Sequence, residues 1–343
     1  MKSRCPLLED PPPASYNAAG TDARDWPGGT RQIPRPAGRF NWRGALLRGI
    51  VVSACLVFGV AAVLVGTAGA GHFWLFAGLA LGFALIAAFD VFLRHASCGG
   101  GGVPLPLTAA ELASPAARDG VVLVVHGGLG DTPARWPGAL LRAVAASDAR
   151  HGRARLARAV DWAHLSARSL CAPAAGARAG AALGRALAAL QRDQGWVDGA
   201  APPVHLVAHS VGSFVIDVFA RAYAEARGPS RVKLTFLDPF CLRGLLDWWY
   251  GLHHFGAVGA RGGVEHFFNA DDPVPTTNVP LRCADVAVDV TGSDQRAAWL
   301  ARERSGDGGG DYARWYGVGR RILHWWPCAW YIDNFDALQA GTR

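Results

Sequence analysis

The sequence lacks the patterns that mark nucleic-acid, zinc and phosphate binding. Its 34 Lys and Arg residues outnumber its 27 Asp and Glu residues, but most of the excess is arginine scattered through Ala- and Gly-rich sequence, and there is no basic helix or aromatic RNA-reading motif. The glycine-rich stretch at 306–312 is not followed by Gly-Lys-Ser/Thr, so it predicts a mobile loop and not a phosphate cradle. No nucleic acid, metal or organic cofactor is implied, and no motif identifies a protein partner.

Cysteine pairs are also missing. The seven cysteines contain no C-x-x-C pair, which excludes the usual zinc and redox motifs, and their odd number excludes complete internal pairing. The favoured interpretation is reduced, buried thiols. The alternative is one or two disulfides among the four C-terminal cysteines, which are Cys171, Cys241, Cys283 and Cys328.

Charge is scarce in one region in particular. Residues 49–71 contain no charged side chain, and neither do residues 73–89. Each run is about as long as a helix needs to be to cross a hydrocarbon core of roughly 30 Å. The short join at 67–72 predicts a transmembrane hairpin over 44–94. Two alternatives remain, a buried helical hairpin in a soluble protein and one span with a re-entrant segment.

The flanks of this hairpin predict its orientation and the domain limits. Five arginines between 31 and 48 favour a cytoplasmic N-terminus, and two crossings would return the chain to the cytoplasm. Residues 1–43 are Pro-rich and lack aliphatic periodicity, so they predict a disordered tail. Residues 95–106 are rich in Gly and Pro and predict a linker. A separate domain then covers 107–343.

Within this domain apolar runs alternate with helical patterns. Such alternation predicts an α/β fold, with a mostly parallel sheet flanked by helices on both faces. The predicted strands are 121–126, 155–162, 204–209, 233–238, 264–269 and 284–291, and the predicted helices lie near 136–147, 177–193 and 212–227.

One serine stands at the join between a strand and a helix. The segment 208–212 reads AHSVG, which matches the nucleophile elbow G-x-S-x-G except that Ala208 replaces the first glycine. The elbow interpretation makes Ser210 a nucleophile, and the alternative is an ordinary corner with an idle serine. After the first strong strand, Gly127 or Gly128 could supply a backbone N–H that forms an oxyanion hole with the N–H of Val211.

Five pieces of sequence together resemble the α/β-hydrolase superfamily and its lipase branch. They are VVHGGLG, the VDW at 160–162, the elbow, the LDP at 237–239, and HWWPCAWYIDNF at 324–335, which is similar to the catalytic-histidine segment of pancreatic-type lipases. The resemblance covers residues 120–336 and implies an α/β-hydrolase fold with a Ser-His-acid triad. It departs from the family at Ala208 and in having no recognisable lipid-binding β-sandwich.

The resemblance favours His324 as the base over four other histidines, His126, His209, His253 and His254. Two residues compete for the role of acid. Asp238 lies in the LDP motif, and Asp272 lies in a D-x-V-P motif that supplies the acid in other lipase families. The sequence favours Asp238, because the VDW and histidine segments resemble the same branch.

An aromatic segment at 240–262 separates the two acids. It is predicted to form a lid or an acyl-chain wall, and the alternative is a helix that packs on the core. The candidate substrate-binding residues are Trp248, Trp249, Tyr250 and Phe255.

These features lead us to expect a membrane-tethered serine hydrolase that cleaves carboxylic esters of lipids or other apolar acyl compounds. The same triad also serves thioesterases, amidases and acyltransferases. A hydrolase-fold protein without activity, acting as a membrane-bound interaction module, is the alternative from a different class.

Overall fold

A computed structural model gives the fold of the chain. It describes residues 30–33, 53–54, 57–64, 73–95, 102–128, 135–168, 170–196, 201–228, 232–242, 255, 262–274, 277–281, 283–305 and 320–340.

The centre of the structure is a seven-stranded sheet with the order β1-β7-β6-β5-β4-β2-β3. Six strands are parallel, and β1 pairs antiparallel with β7 at one edge. This confirms the predicted mostly parallel α/β architecture. The strands are β1 Arg31–Ile33, β2 Gly120–Val125, β3 Arg155–Val160, β4 Val204–His209, β5 Val232–Leu237, β6 Val264–Phe268 and β7 Val286–Asp289.

Helices cover both faces of the sheet. The helices are α1 Phe73–His95, α2 Ala109–Leu112, α3 Trp136–His151, α4 Ala163–Ser166, α5 Ala172–Asp193, α6 Ser213–Arg227, α7 Gln295–Ser305 and α8 Trp326–Ala340, with 3-10 turns at Pro115–Ala117, Ser210–Gly212 and Arg320–Trp325. Residues 53–54 and 57–64 are also helical.

The alternation of side chains along β2 divides the core into two layers. Val121, Leu123 and Val125 pack in the layer that contains α5 and α6, whereas Val122 and Val124 pack in the layer that contains α3 and α8. Because both faces are buried, the central strands are continuous apolar runs. The core holds the carboxyl ends of these strands in fixed positions.

Close packing of α5 against α6 fixes the helix that follows the predicted elbow. Gly180 and Gly184 lie on one face of α5, one turn apart. A Cβ atom at Gly180 would lie 2.1 Å from the Val215 carbonyl oxygen, and one at Gly184 would lie 2.5 Å from that of Phe219. Only glycine allows the two backbones to approach so closely.

The N-terminal segment contributes an edge strand, which corrects the prediction of disorder over the whole of 1–43. Arg31, Gln32 and Ile33 pair with Asp289, Val288 and Ala287 in turn. Three residues are too few to show a sequence period. Their ordered conformation comes from backbone hydrogen bonds to the open edge of β7. The core also begins slightly before the predicted boundary, since Val103 in the predicted linker is buried.

Long apolar side chains are exposed on two helical segments. Within α1, residues 74–92 have a mean hydropathy of 2.2 and almost none of them is buried, and they form the one helix in the described part of the chain that is long and apolar enough to cross a membrane. The helical residues 57–64 expose Val57, Val60, Val63 and Leu64. Phe58 stacks on Phe83 with ring centroids 5.8 Å apart, so the two segments are in contact.

The cysteines differ from one another. Cys241, Cys283 and Cys328 carry reduced thiols, and burial raises the pKa of Cys283 to about 12. Cys171 is disulfide-bonded. The interpretation that all the thiols are reduced is therefore wrong for Cys171, because sequence separation does not reveal which cysteines meet in the fold.

Candidate active site

The candidate site lies at the carboxyl edge of the sheet, where the strand order reverses. From β2 the chain passes to β3 on one side and then crosses to β4 on the other side. In open α/β sheets the crevice at such a reversal is the usual place for a ligand. Gly127 and Gly128 follow β2, and Ser210 follows β4, so the predicted oxyanion turn and the predicted nucleophile occupy the two sides of this crevice.

Ser210 occupies a strained turn. Its φ is +53°, in the left-handed region, which costs a residue with a Cβ atom about 1–2 kcal/mol. The turn is close to the end of the neighbouring strand β2, because a Cβ atom at Gly212 would lie 2.4 Å from the carbonyl oxygen of His126. Ala208 fits where the elbow pattern has glycine: it is buried in the core between Val125 and Phe236 of the neighbouring strands.

The glycine turn after β2 lies directly against this elbow. A Cβ atom at Gly127 would lie 3.2 Å from the Cβ atom of Ser210, and one at Gly128 would lie 3.1 Å from a methyl group of Val211. Side chains at these two positions would crowd the space above the serine. The structure therefore brings together the three residues that the sequence predicts for the oxyanion hole.

His126 orients this turn. Its Nδ1–H group donates to the Gly127 carbonyl oxygen at 2.8 Å, while Nε2 accepts from the Trp162 backbone N–H at 3.4 Å. The trans peptide places the N–H of Gly128 on the side opposite to the Gly127 carbonyl. Because the His126 ring is fully buried and both nitrogens have partners, His126 holds the turn and is not the base.

His324 lies beside the elbow and binds one of the two candidate acids. Its Nδ1 is 2.5 Å from Oδ2 of Asp272 and 3.9 Å from Oδ2 of Asp238. Only the first distance is a hydrogen bond. The geometry thus reverses the preference that the sequence gives to Asp238.

The Asp272 carboxylate has several donors. Oδ2 also accepts from the Thr277 hydroxyl at 2.6 Å, and Oδ1 accepts from the Val274 N–H at 2.9 Å. Burial alone would raise the pKa of Asp272, but His324, Thr277 and the Val274 N–H together bring it below its ordinary value. Asp272 is therefore an ionised acceptor for the imidazole.

Two side chains hold the backbone on either side of the imidazole. The Asn269 amide donates to the Leu323 carbonyl oxygen at 2.9 Å, and His209 Nε2–H donates to the His324 carbonyl oxygen at 2.8 Å. The His209 ring also lies 4.4 Å from the His324 ring, centroid to centroid. Since His209 precedes Ser210, these contacts connect the base to the elbow.

His209 itself is unsuited to be the base. It is buried, and burial followed by the nearby His324 holds the pKa of His209 well below its usual range, so the ring is neutral. Its Nε2–H is already donated to a carbonyl oxygen. Sequence reasoning missed the bracing roles of His209, Asn269 and Thr277, and the available signal was that Asn269 directly follows β6.

The predicted substrate-binding residues are only partly described. Trp248, Trp249 and Tyr250 lie outside the described residues, as do His253 and His254. Phe255 is buried in the core, with its ring 4.9 Å from Phe214 and 5.4 Å from Phe236. It packs against α6, the helix that follows the elbow.

The cluster of His324 with the two candidate acids is the one place in the described part of the chain with the composition of a metal site. One ligand atom from each of Asp238, Asp272 and His324 lies within 4.8 Å of the other two. In the structure, His324 and Asp272 use these atoms to bind each other.

The fold and the site define an α/β protein with a strained serine, a buried His-Asp pair and a glycine turn at one sheet edge. No protein-family model matches the sequence, and a comparison with curated proteins finds no match.

Proposed function

We propose that this protein is a serine hydrolase of the α/β-hydrolase superfamily that cleaves carboxylic esters of lipids or other apolar acyl compounds at a membrane surface. The observation that carries the proposal is the strained Ser210 elbow, braced through His209 against the hydrogen-bonded pair of His324 and Asp272. Strain at a polar residue in a crevice is typical of a functional site. The chain order of serine, acid and histidine is that of α/β-hydrolases.

In this mechanism Ser210 Oγ attacks the ester carbonyl carbon while His324 Nε2 takes the hydroxyl proton. The oxyanion accepts hydrogen bonds from the Val211 N–H and from Gly127 or Gly128, at roughly 2.7–4 kcal/mol per donor. His324 returns the proton to the departing alcohol, which leaves an acyl-serine. Water activated by His324 then attacks that ester, releases the acid and restores Ser210. Asp272 holds the imidazole with its proton on Nδ1 throughout.

A fluorophosphonate probe tests this proposal directly. The probe phosphonylates only serines that an adjacent base activates, so we expect one adduct on the full-length protein, on the Ser210 peptide after digestion and mass spectrometry. Competition with a long-chain ester should reduce the labelling. An adduct on another serine would refute the assignment, and no adduct at all would favour the non-catalytic membrane module.

The membrane part of the proposal is a hairpin formed by residues 44–94. The exposed apolar side chains of 57–64 and 74–92 support it, because such a surface is suited to lipid. The β1–β7 pairing supports an even number of crossings, since residues 31–33 and the sheet must share one side of the bilayer. A single crossing between residue 33 and residue 120 would separate the two strands.

Two features of the chain indicate opposite sides of the membrane for the hydrolase domain. The arginines before the hairpin favour the cytoplasm, whereas the disulfide at Cys171 is typical of an oxidising compartment. We propose the cytoplasmic side, because the arginine bias acts directly on membrane insertion and cytosolic disulfides also occur as redox-sensing pairs. The short connection would keep the site near its lipid substrate and raise its effective concentration.

Protease protection should show that the two ends of the chain lie together in the cytoplasm. With one tag at each terminus, we expect both tags to resist protease on sealed right-side-out vesicles and both to be cleaved on inverted vesicles. Cleavage of only one tag would contradict the even number of crossings. Cleavage of both tags from outside would mean that the hairpin is present in the opposite orientation, in agreement with the Cys171 disulfide.

A further inference from the structure

Two carboxyl groups lie beside one imidazole nitrogen, and only one of them binds it. The Nδ1 atom of His324 carries a single proton, which goes to Asp272 at 2.5 Å. Asp238 places its Oδ2 atom 3.9 Å from the same nitrogen. The mechanism above gives Asp238 no role, although it is fully buried at the centre of the site.

The surroundings of Asp238 do not suit an anion. Its Oδ1 accepts the Asn269 N–H at 2.8 Å, but its buried Oδ2 receives no hydrogen bond in the described part of the chain. The titratable groups that face it are Asp272, Asp289 and His324. Burial, followed by the negative charges of Asp272 and Asp289, raises the pKa of Asp238 well above its usual range.

Asp272 has the opposite environment. It receives three hydrogen bonds and lies next to the imidazole, and its pKa falls below the ordinary value. When two neighbouring carboxyl groups have environments that move their pKa values apart, one is expected to keep a proton while the other ionises. An Oδ2–H group on Asp238 would give that atom the partner it lacks, since Asp272 is within hydrogen-bonding reach.

We infer that Asp238 is a neutral carboxylic acid whose O–H group donates to the Asp272 carboxylate, so that it positions Asp272 to accept the Nδ1–H of His324. This inference rests on the proposed function for its catalytic meaning. Asp238 is then a positioning residue: it fixes the orientation of the carboxylate without touching the substrate. It also keeps the pair at one negative charge, because two ionised carboxylates buried together would repel each other.

Two variants of Asp238 test whether its side chain acts as a hydrogen-bond donor or as an anion. In Asp238→Asn the amide can still donate to Asp272, and its oxygen can still accept from Asn269. In Asp238→Ala both bonds are lost. For the full chain in detergent, we expect Asp238→Ala to lower kcat by roughly 10- to 100-fold with little change in KM, as for one hydrogen bond to a charged group. Asp238→Asn should restore at least half of that loss on a logarithmic scale.

Infrared spectroscopy detects whether the Asp238 carboxyl group is protonated, and it needs no enzymatic activity. The wild-type protein near neutral pH should show the C=O stretching band of a protonated carboxylic acid, and this band should be missing in Asp238→Asn. If the band is absent from the wild type, or persists in Asp238→Asn, then Asp238 is not the neutral acid and the inference is wrong. If Asp238→Asn is as inactive as Asp272→Asn, the positioning role is wrong as well.

Thermal unfolding as a function of pH gives a second reading. A carboxyl group whose pKa is raised on folding binds its proton more tightly in the native state, so stability falls as pH rises from the usual range of an aspartate through the raised value. Asparagine has no proton to lose. The Tm of Asp238→Asn minus the wild-type Tm should therefore increase as pH rises through this window, and a difference that decreases instead would overturn the inference. A protein that passes the infrared and unfolding tests but cleaves no ester would refute the proposed function alone.

Discussion

Replacing Ser210 with alanine should abolish ester hydrolysis while leaving the fold intact. Alanine keeps the same Cβ atom, so the strained φ of +53° and the contacts of Gly127 with the elbow do not change. Only the attacking oxygen is lost. Loss of a triad nucleophile costs about 10⁶-fold in turnover in the best-studied serine protease, and we expect a loss of several orders of magnitude here. Release of the alcohol from a short-chain test ester measures it.

Ser114→Ala is a suitable control for this variant. Ser114 precedes β2 on the amino-terminal side of the sheet, and its hydroxyl donates to the Glu111 carbonyl oxygen at 2.6 Å. Both variants should have circular dichroism spectra like that of the wild type, and Ser114→Ala should keep its activity and its probe labelling. Activity that survives in Ser210→Ala would show that another nucleophile does the chemistry.

Replacing Asp272 with asparagine should lower kcat by about 10⁴-fold, through a change in the histidine tautomer. An amide N–H group that faces His324 Nδ1 would favour a proton on Nε2, and this nitrogen could then no longer take the proton of Ser210. The Thr277 hydroxyl and the Val274 N–H would hold the asparagine near the position of the native side chain. Initial rates across a pH series measure the loss.

The neighbouring Asp271 gives a matched control for this change. Asp271 is exposed and pairs with Arg296 at 2.8 Å, and such surface ion pairs contribute little to stability. Asp271→Asn should therefore retain wild-type turnover. If Asp272→Asn keeps most of the activity while Asp238→Asn loses about 10⁴-fold, the acid is Asp238, as the sequence motif LDP suggests.

The two candidate acids show that a local sequence pattern is insufficient to identify the partner of His324. Both aspartates follow strands that end at the same sheet edge, so the sequence could narrow the acid to two residues without choosing between them. The choice depends on the segment after Asp272, which supplies two donors to its carboxylate, the Val274 N–H and the Thr277 hydroxyl, beside the third donor, His324. Asp238 instead lies directly at the end of β5 with φ +38°. Its Oδ2 atom faces the carboxyl group of Asp272. The contacts that distinguish the two acids include distant ones: Asp238 binds Asn269, 31 positions away, and Asp272 binds His324, 52 positions away.

The short N-terminal strand is a second example. Arg31–Ile33 has no period and lies in Pro-rich sequence, so composition predicts disorder. The strand exists because β7 leaves an open row of backbone donors and acceptors at the sheet edge. Its pairing also supports the even number of crossings in the proposed membrane hairpin.

By itself, the sequence determined the alternation of strands and helices, the serine at a strand-to-helix turn, and the glycine turn that precedes it. All three are local, because burial of both sheet faces and the tight turns impose residue types on neighbouring positions. The tertiary structure decided which aspartate binds His324, what His209 and Asn269 hold in place, and where residues 31–33 lie. Such contacts join distant parts of the chain, and their distances follow from how loops fold over a packed core, which no local sequence pattern encodes.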